Sequence, residues 1–111
     1  MPYRQFFILL SILMISLPAC PCSAAGPNQD QARQLINALG CKGCHQLQGD
    51  GGSLAPELDL IGSRMTQKQI RQYLLGHEHQ AAPVKMPSYA TTSHAELELI
   101  SDYLYNLNND D

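Results

Sequence analysis

Cys41-Lys42-Gly43-Cys44-His45 decides how the rest of this chain is read. Two thiols three residues apart lie about one helical turn apart, on one side of the chain. They suit addition to the two vinyl groups along one edge of a porphyrin, and the adjacent imidazole then reaches the iron from that same side. The run reads as a covalent haem attachment site. Two other readings of the same residues are weaker. A redox dithiol expects a surrounding βαβ pattern, and none is visible. A zinc site built from Cys41, Cys44, His45 and a distant histidine has enough donors, but structural zinc usually brings a second tight ligand pair.

The first residues do not belong to the domain that carries this motif. Arg4 supplies a positive start, and Phe6 to Leu17 is an apolar run too short to span a bilayer as a helix. Pro18 breaks the run, and small residues follow at Ser23-Ala24-Ala25. Residues 1–25 read as a secretory signal peptide, with cleavage after Ala25 and the domain at 26–111. Leu17-Pro18-Ala19-Cys20 also resembles a lipoprotein signal, which would leave Cys20 as a lipidated terminus. Pro18 departs from the usual small or aliphatic residue there.

Cleavage would change the cysteine arithmetic. Cys20 and Cys22 leave, and only Cys41 and Cys44 remain, so no disulfide framework is available. Taking residues 1–25 from 111 leaves 86, a thin length for a self-sufficient apolar core. A buried haem would add apolar surface and a covalent constraint. The remaining charge is −4, from six Lys/Arg against ten Asp/Glu. Nothing in that balance suggests nucleic acid, and a mildly acidic surface favours partners with a basic docking patch.

Three amphipathic helical patterns follow, with no convincing strand. The first runs over roughly 29–40, with Ala32, Leu35, Ile36 and Leu39 on one face and Gly40 as its stop. Asn28 or Asp30, after Pro27, is the expected cap. The second runs over roughly 67–75. Thr66 and Gln69 form a capping box, and Met65 and Ile70 a hydrophobic staple. Ile70, Tyr73 and Leu74 make its expected inner face, and Gly76 its stop. The third runs over roughly 94–107, opened by a Ser93–Glu96 capping box. Leu97, Ile100, Leu104 and Leu107 form its stripe, with Tyr103 beside them.

Long loops at 46–65 and 77–92 join these helices, and in so small a domain such loops usually have a task. Wrapping two faces of a flat cofactor is the economical one. His45 alone would leave one iron position open. Met65, Met86, His77, His79 and His94 are the candidates to fill it, and Met86 is the strongest. It lies in Lys85-Met86-Pro87, far enough downstream for the chain to pass round the ring, with Pro87 stiffening the turn. A thioether favours ferrous iron and raises the reduction potential relative to a second imidazole. Met65 suits core filling in the staple. The three histidines fit solvated positions.

The other ring nitrogen of His45 needs an acceptor, and a backbone carbonyl commonly supplies it. Pro56, in the loop after the motif, is the natural source. Arg64 has two readings of equal standing, a partner for a haem propionate or an exposed residue before a helix. Tyr73 and Tyr89 read as core residues more readily than as donors at the haem edge.

Together these residues resemble the small class I c-type cytochromes, the monohaem bacterial kind. The likeness covers nearly all of residues 26–111. It rests on Ala32-x-x-Leu35-Ile36, Gly40-Cys41-x-x-Cys44-His45, Leu47-x-Gly49, Ala55-Pro56-x-Leu58 and Ile61-Gly62-Ser63-Arg64. Lys85-Met86-Pro87 and Tyr103-Leu104-x-x-Leu107 complete it. It implies an all-α fold, three main helices and long loops wrapped around one covalent haem c, with the first and last helices crossing. It also implies His45 and Met86 as the axial iron ligands and the Pro56 carbonyl as the partner of His45. At the helix crossing a small residue, usually glycine, meets an aromatic. Ala32 and Tyr103 would be that pair here, so alanine replaces glycine. Ile36 stands where an aromatic is common.

The expected function is a periplasmic one-electron carrier that docks transiently with a redox donor and a redox acceptor, without catalysis of its own. No general base or nucleophile stands out. A gas or redox sensor with a labile sixth ligand is one alternative. A subunit of a larger respiratory or dehydrogenase complex is another. A peroxidase of the common bacterial type needs a second haem motif, and only one is present.

Overall fold

The computed structural model describes residues 26–76 and 85–108. The expected signal segment, Cys20, His77 and His79 lie outside them. Four helices and one short hairpin make up the fold: α1 (Pro27–Ala38), β1 (Gln46–Leu47), β2 (Asp50–Gly51), α2 (Ile61–Arg64), α3 (Gln67–Leu75) and α4 (His94–Asn106). Among the described residues no helix is long and apolar enough to cross a membrane.

The ends of the helices follow from local chemistry. Thr66 accepts from the Gln69 backbone N–H while the Gln69 side chain returns to the Thr66 N–H, a complete capping box at the start of α3. Ser93 and Glu96 repeat it at α4. The start of α1 differs from the sequence expectation. Gly26 is the cap and Pro27 the first helical residue, so Asn28 and Asp30 lie inside the first turn. Proline loses nothing there, because its missing N–H would have had no intrahelical partner. α1 stops at Leu39-Gly40, where Gly40 takes φ 74° and turns the chain into the cysteine motif.

α4 is the centre of the domain and packs against α1, α2 and α3. Ala32 and Ile36 from α1 join Ile70 and Leu74 from α3 and Leu97, Ile100, Tyr103 and Leu104 from α4 in one core. Ile36, Leu97 and Ile100 are almost fully enclosed, each contributing on the order of 2 kcal/mol through burial. Ala32 is completely buried where α1 meets α4, and Arg33 next to it donates to the Tyr103 hydroxyl at 3.0 Å. The fully buried Ser101 hydroxyl donates to the Glu98 carbonyl at 3.0 Å, so it costs little. Glu98 also ties α4 to α3, accepting from Gln67 at 3.0 Å and pairing with Arg71.

Two further elements and one side chain differ from the sequence reading. α2 is a single turn inside the expected loop. It lies so close to α4 that a Cβ at Gly62 would run into the Tyr105 carbonyl. Glycine there is a requirement of close approach. The second addition is the hairpin, in which Gln46 pairs with Gly51 and Leu47 with Asp50. Its turn residues Gln48 and Gly49 have φ of 50° and 80°, the left-handed pair that a two-residue hairpin turn demands. Tyr73, expected on the inner face of α3, is 47% exposed, while Ile70 and Leu74 carry the burial.

Candidate functional site

The cysteine motif follows Gly40 as a 3-10 turn over Cys41–Gly43. The Cys44 and His45 N–H groups both donate to the Cys41 carbonyl, at 3.3 and 3.0 Å. Cys41 is buried and Cys44 partly exposed, and neither is in a disulfide. Burial pushes the Cys41 thiol above its ordinary pKa, offset in part by hydrogen bonds from the Tyr89 hydroxyl and the backbone.

Two stretches of chain fold back onto this turn. From the hairpin, the Gly52 N–H donates to the Lys42 carbonyl at 2.8 Å. The approach needs both glycines. A Cβ at Gly51 would collide with the His45 carbonyl, and one at Gly52 with the Gly43 carbonyl. Lys42 and Asp50 close the outer side with an ion pair at 3.0 Å. From the next stretch, the Ala55 N–H donates to the Cys44 carbonyl at 3.0 Å and the Leu58 N–H to the Gln46 carbonyl at 2.9 Å.

Between those two bonds the His45 Nδ1 lies 2.6 Å from the Pro56 carbonyl oxygen. A carbonyl can only accept, so Nδ1 carries the proton. Nε2 is then left with its lone pair, the form in which imidazole binds a metal. Proline suits this position, because residue 56 is asked for its carbonyl and never for an N–H. A set of two thiols and one oriented imidazole, on one turn and beside an apolar core, fits a covalently held haem.

The remaining candidates fall in different places. Met86 is partly buried against the core, between exposed Lys85 and Pro87. Its stretch is anchored just downstream, where the Tyr89 N–H donates to the Leu74 carbonyl at 2.8 Å and the Ser88 hydroxyl to the Leu75 carbonyl at 2.6 Å. The buried Tyr89 ring reaches back to the motif, its hydroxyl donating to the Leu39 carbonyl at 3.4 Å. Burial, then the charges and hydrogen bond of the nearby thiols, pushes Tyr89 up to about 12. Met65 packs against the core. His94 is exposed at the start of α4, and Arg64 is exposed at the end of α2. Arg64 makes no ion pair among the described residues. Among them, too, no three His, Cys, Asp or Glu side chains gather as a metal site.

Sequence reasoning passed over Gly51, Gly52 and Asp59. The glycines were visible only as loop residues. Asp59 accepts from the Gln48 backbone N–H through both carboxylate oxygens, each at 2.9 Å. An aspartate eleven residues from its partner leaves no local signature.

A helical domain that presents a paired thiol and an oriented imidazole on one turn defines a covalent haem-binding protein. The family model for cytochrome c matches residues 29–108, and the chain belongs to the cytochrome c family. Its cofactor is therefore haem c with its iron, held covalently, and its general chemistry is haem-based electron transfer. No curated protein and no solved structure matches the chain.

Proposed function

We propose that this chain is an exported, periplasmic carrier of single electrons, with His45 and Met86 as the two axial ligands of its iron. Bound haem c supplies a metal that alternates between ferric and ferrous charge. The residues of the chain fix what surrounds it. Cys41 and Cys44 hold the porphyrin, His45 supplies one nitrogen, and Met86 supplies a thioether that favours the ferrous state. With both positions filled by protein, bonding at the metal would change little between its two charge states, which suits a carrier. Electrons would enter and leave at the exposed haem edge, through a small and transient docking contact with a donor and then an acceptor. Arg64, exposed at the end of α2, would pair with a haem propionate in this reading. The observation that supports the reading is the bond from His45 Nδ1 to the Pro56 carbonyl, because it leaves the lone pair of the opposite nitrogen available to a metal.

The test is an absorption spectrum of the purified, haem-loaded protein in both redox states. A weak long-wavelength ferric band would report sulfur on iron. Met86→Ala should keep the haem attached, abolish that band, lower the reduction potential and admit carbon monoxide to the reduced iron. An unchanged band in the variant removes Met86 from the iron. Fast, tight carbon monoxide binding by the unsubstituted protein would instead favour a sensor with a labile sixth ligand.

A further inference from the structure

We propose that Asp59 is a positioning residue for the iron-binding imidazole, acting through the strap that carries the Pro56 carbonyl. The inference rests on the reading of His45 as an iron ligand. It concerns a residue that neither the attachment motif nor the axial ligand set includes.

The strap over residues 55–59 lies alongside residues 44–48, and four contacts join them. Ala55 bonds to the Cys44 carbonyl, Pro56 accepts from His45, Leu58 bonds to the Gln46 carbonyl, and Asp59 accepts from Gln48. The first and third are backbone bonds that side-chain truncation leaves in place. Pro56 lends only its carbonyl. Within the strap Asp59 is the residue that closes the frame through its side chain, and it does so at the far end, where the strap turns away toward α2. The group it holds is unusual. Gln48 is a non-glycine residue with φ of 50°, in the hairpin turn. A left-handed N–H there has no strand partner, and both Asp59 oxygens share it at 2.9 Å. The same hairpin presses Gly51 against the His45 carbonyl. Asp59 thus joins the two stretches that hold the histidine, the hairpin on one side and the strap on the other. Among the described residues it has no basic partner, so its carboxylate serves as a hydrogen-bond acceptor and not as half of an ion pair.

The consequence for the iron is chemical. A short bond from Nδ1–H to a carbonyl raises the basicity of the imidazole and so stabilises ferric iron. Slackening the strap lengthens that bond, weakens this push and raises the potential. It also opens the Nδ1 proton to solvent.

The test uses the haem-loaded protein and three variants. Asp59→Ala removes both the acceptor and the charge. Asp59→Asn removes the charge and keeps an oxygen on the Gln48 N–H. Asp59→Ser, with a shorter acceptor, stands in if the alanine variant does not accumulate. Proton NMR would follow exchange of the His45 Nδ1 proton into deuterium, and a redox titration the potential. Exchange should quicken by roughly fivefold in Asp59→Ala, the extra opening that loss of about one net hydrogen bond allows, and stay near the parent rate in Asp59→Asn. The potential should rise further in the alanine variant than in the asparagine one, since only the excess reports geometry. Equal exchange rates in all the proteins, or identical potentials for alanine and asparagine, overturn the inference. That failure is distinct from failure of the functional reading, which would show as a parent protein without haem or without His45 on its iron.

Discussion

The two sides of the proposed iron site are held in different ways. On the His45 side, residues 41–59 bind to themselves. Backbone bonds run from Gly52 and Ala55 to the cysteine turn and from Leu58 to Gln46 in β1, the hairpin closes over the turn, and Asp59 ties the ends together. On the Met86 side, the stretch that brings the methionine is fixed by bonds made two and three residues later, at Ser88 and Tyr89, to the end of α3. One ligand is built into a local frame. The other is hung from a neighbouring helix. If both side chains bind iron as proposed, the difference separates the one the protein fixes in advance from the one it would leave to the metal. An imidazole with its tautomer set needs no metal to be in place. Among the described residues the anchors of the Met86 stretch lie downstream of it, so a thioether carried there would rely on the metal to complete its position, and the proposed sulfur–iron bond would be the one to weaken first.

The strongest way to break this contrast is to damage the frame. Gly51→Ala places a methyl group against the His45 carbonyl at a backbone φ of 120°. Overpacking against backbone and an unfavourable dihedral together should cost about 3 kcal/mol. Denaturant unfolding of the haem-loaded protein would measure it. The His45 signals should shift while the band assigned to sulfur on iron persists. A Gly51→Ala protein as stable as the parent would mean that the frame yields, and that the two sides are held alike.

The parts of this arrangement that could be read from sequence are those encoded within about one turn of chain. Both capping boxes declare themselves through residues three apart, and α3 starts and ends where Thr66 and Gly76 place it. Cysteines and histidine in one pentapeptide are equally local. Errors arose where a residue had two local uses. Asn28 and Asp30 are good caps, but Pro27 can open a helix itself and moved the start forward. Tyr73 sits at the edge of the apolar stripe, where three residues of spacing do not decide between core and surface. The hairpin was illegible because strands of two residues show no alternation. Gly51, Gly52 and Gly62 have their reason in backbone that approaches from elsewhere, which composition alone cannot show.

On the other side of the contrast, Tyr89→Phe keeps the ring and removes the hydroxyl that reaches the Leu39 carbonyl and the Cys41 sulfur. Its neutral-pH cost should be about 1 kcal/mol, a single hydrogen bond. Its pH dependence is the sharper readout. The folded-state pKa of Tyr89 is raised from 10.0 to about 12, first by burial. A raised value means stability fully present below pH 10 and lost as pH climbs toward 12. Thioether sulfurs carry no charge, so in the haem-loaded protein burial, the largest cause, is the one that remains. The phenylalanine variant should shed this extra alkaline loss. Parallel stability curves for the two proteins above pH 10 would contradict it.

The smallest expected effect is the most specific to the Met86 side. Ser88 donates to the Leu75 carbonyl at 2.6 Å and accepts from the Ala90 N–H at 3.3 Å, so it both caps the end of α3 and shapes the turn after Pro87. It is exposed, so water replaces much of what Ser88→Ala removes. The net cost should be about 0.5 kcal/mol, within the noise of global unfolding. Local opening should register it. If these bonds restrain the stretch that carries Met86, a loss of that size raises the population of the opened stretch about twofold. Added imidazole should then displace the methionine about twice as readily from ferric iron, at unchanged overall stability. The same titration in Asp59→Ala should show little change, because that residue braces the opposite side. Equal sensitivity of the two variants would mean that the site opens as one body, and that its two ligands are not separately held.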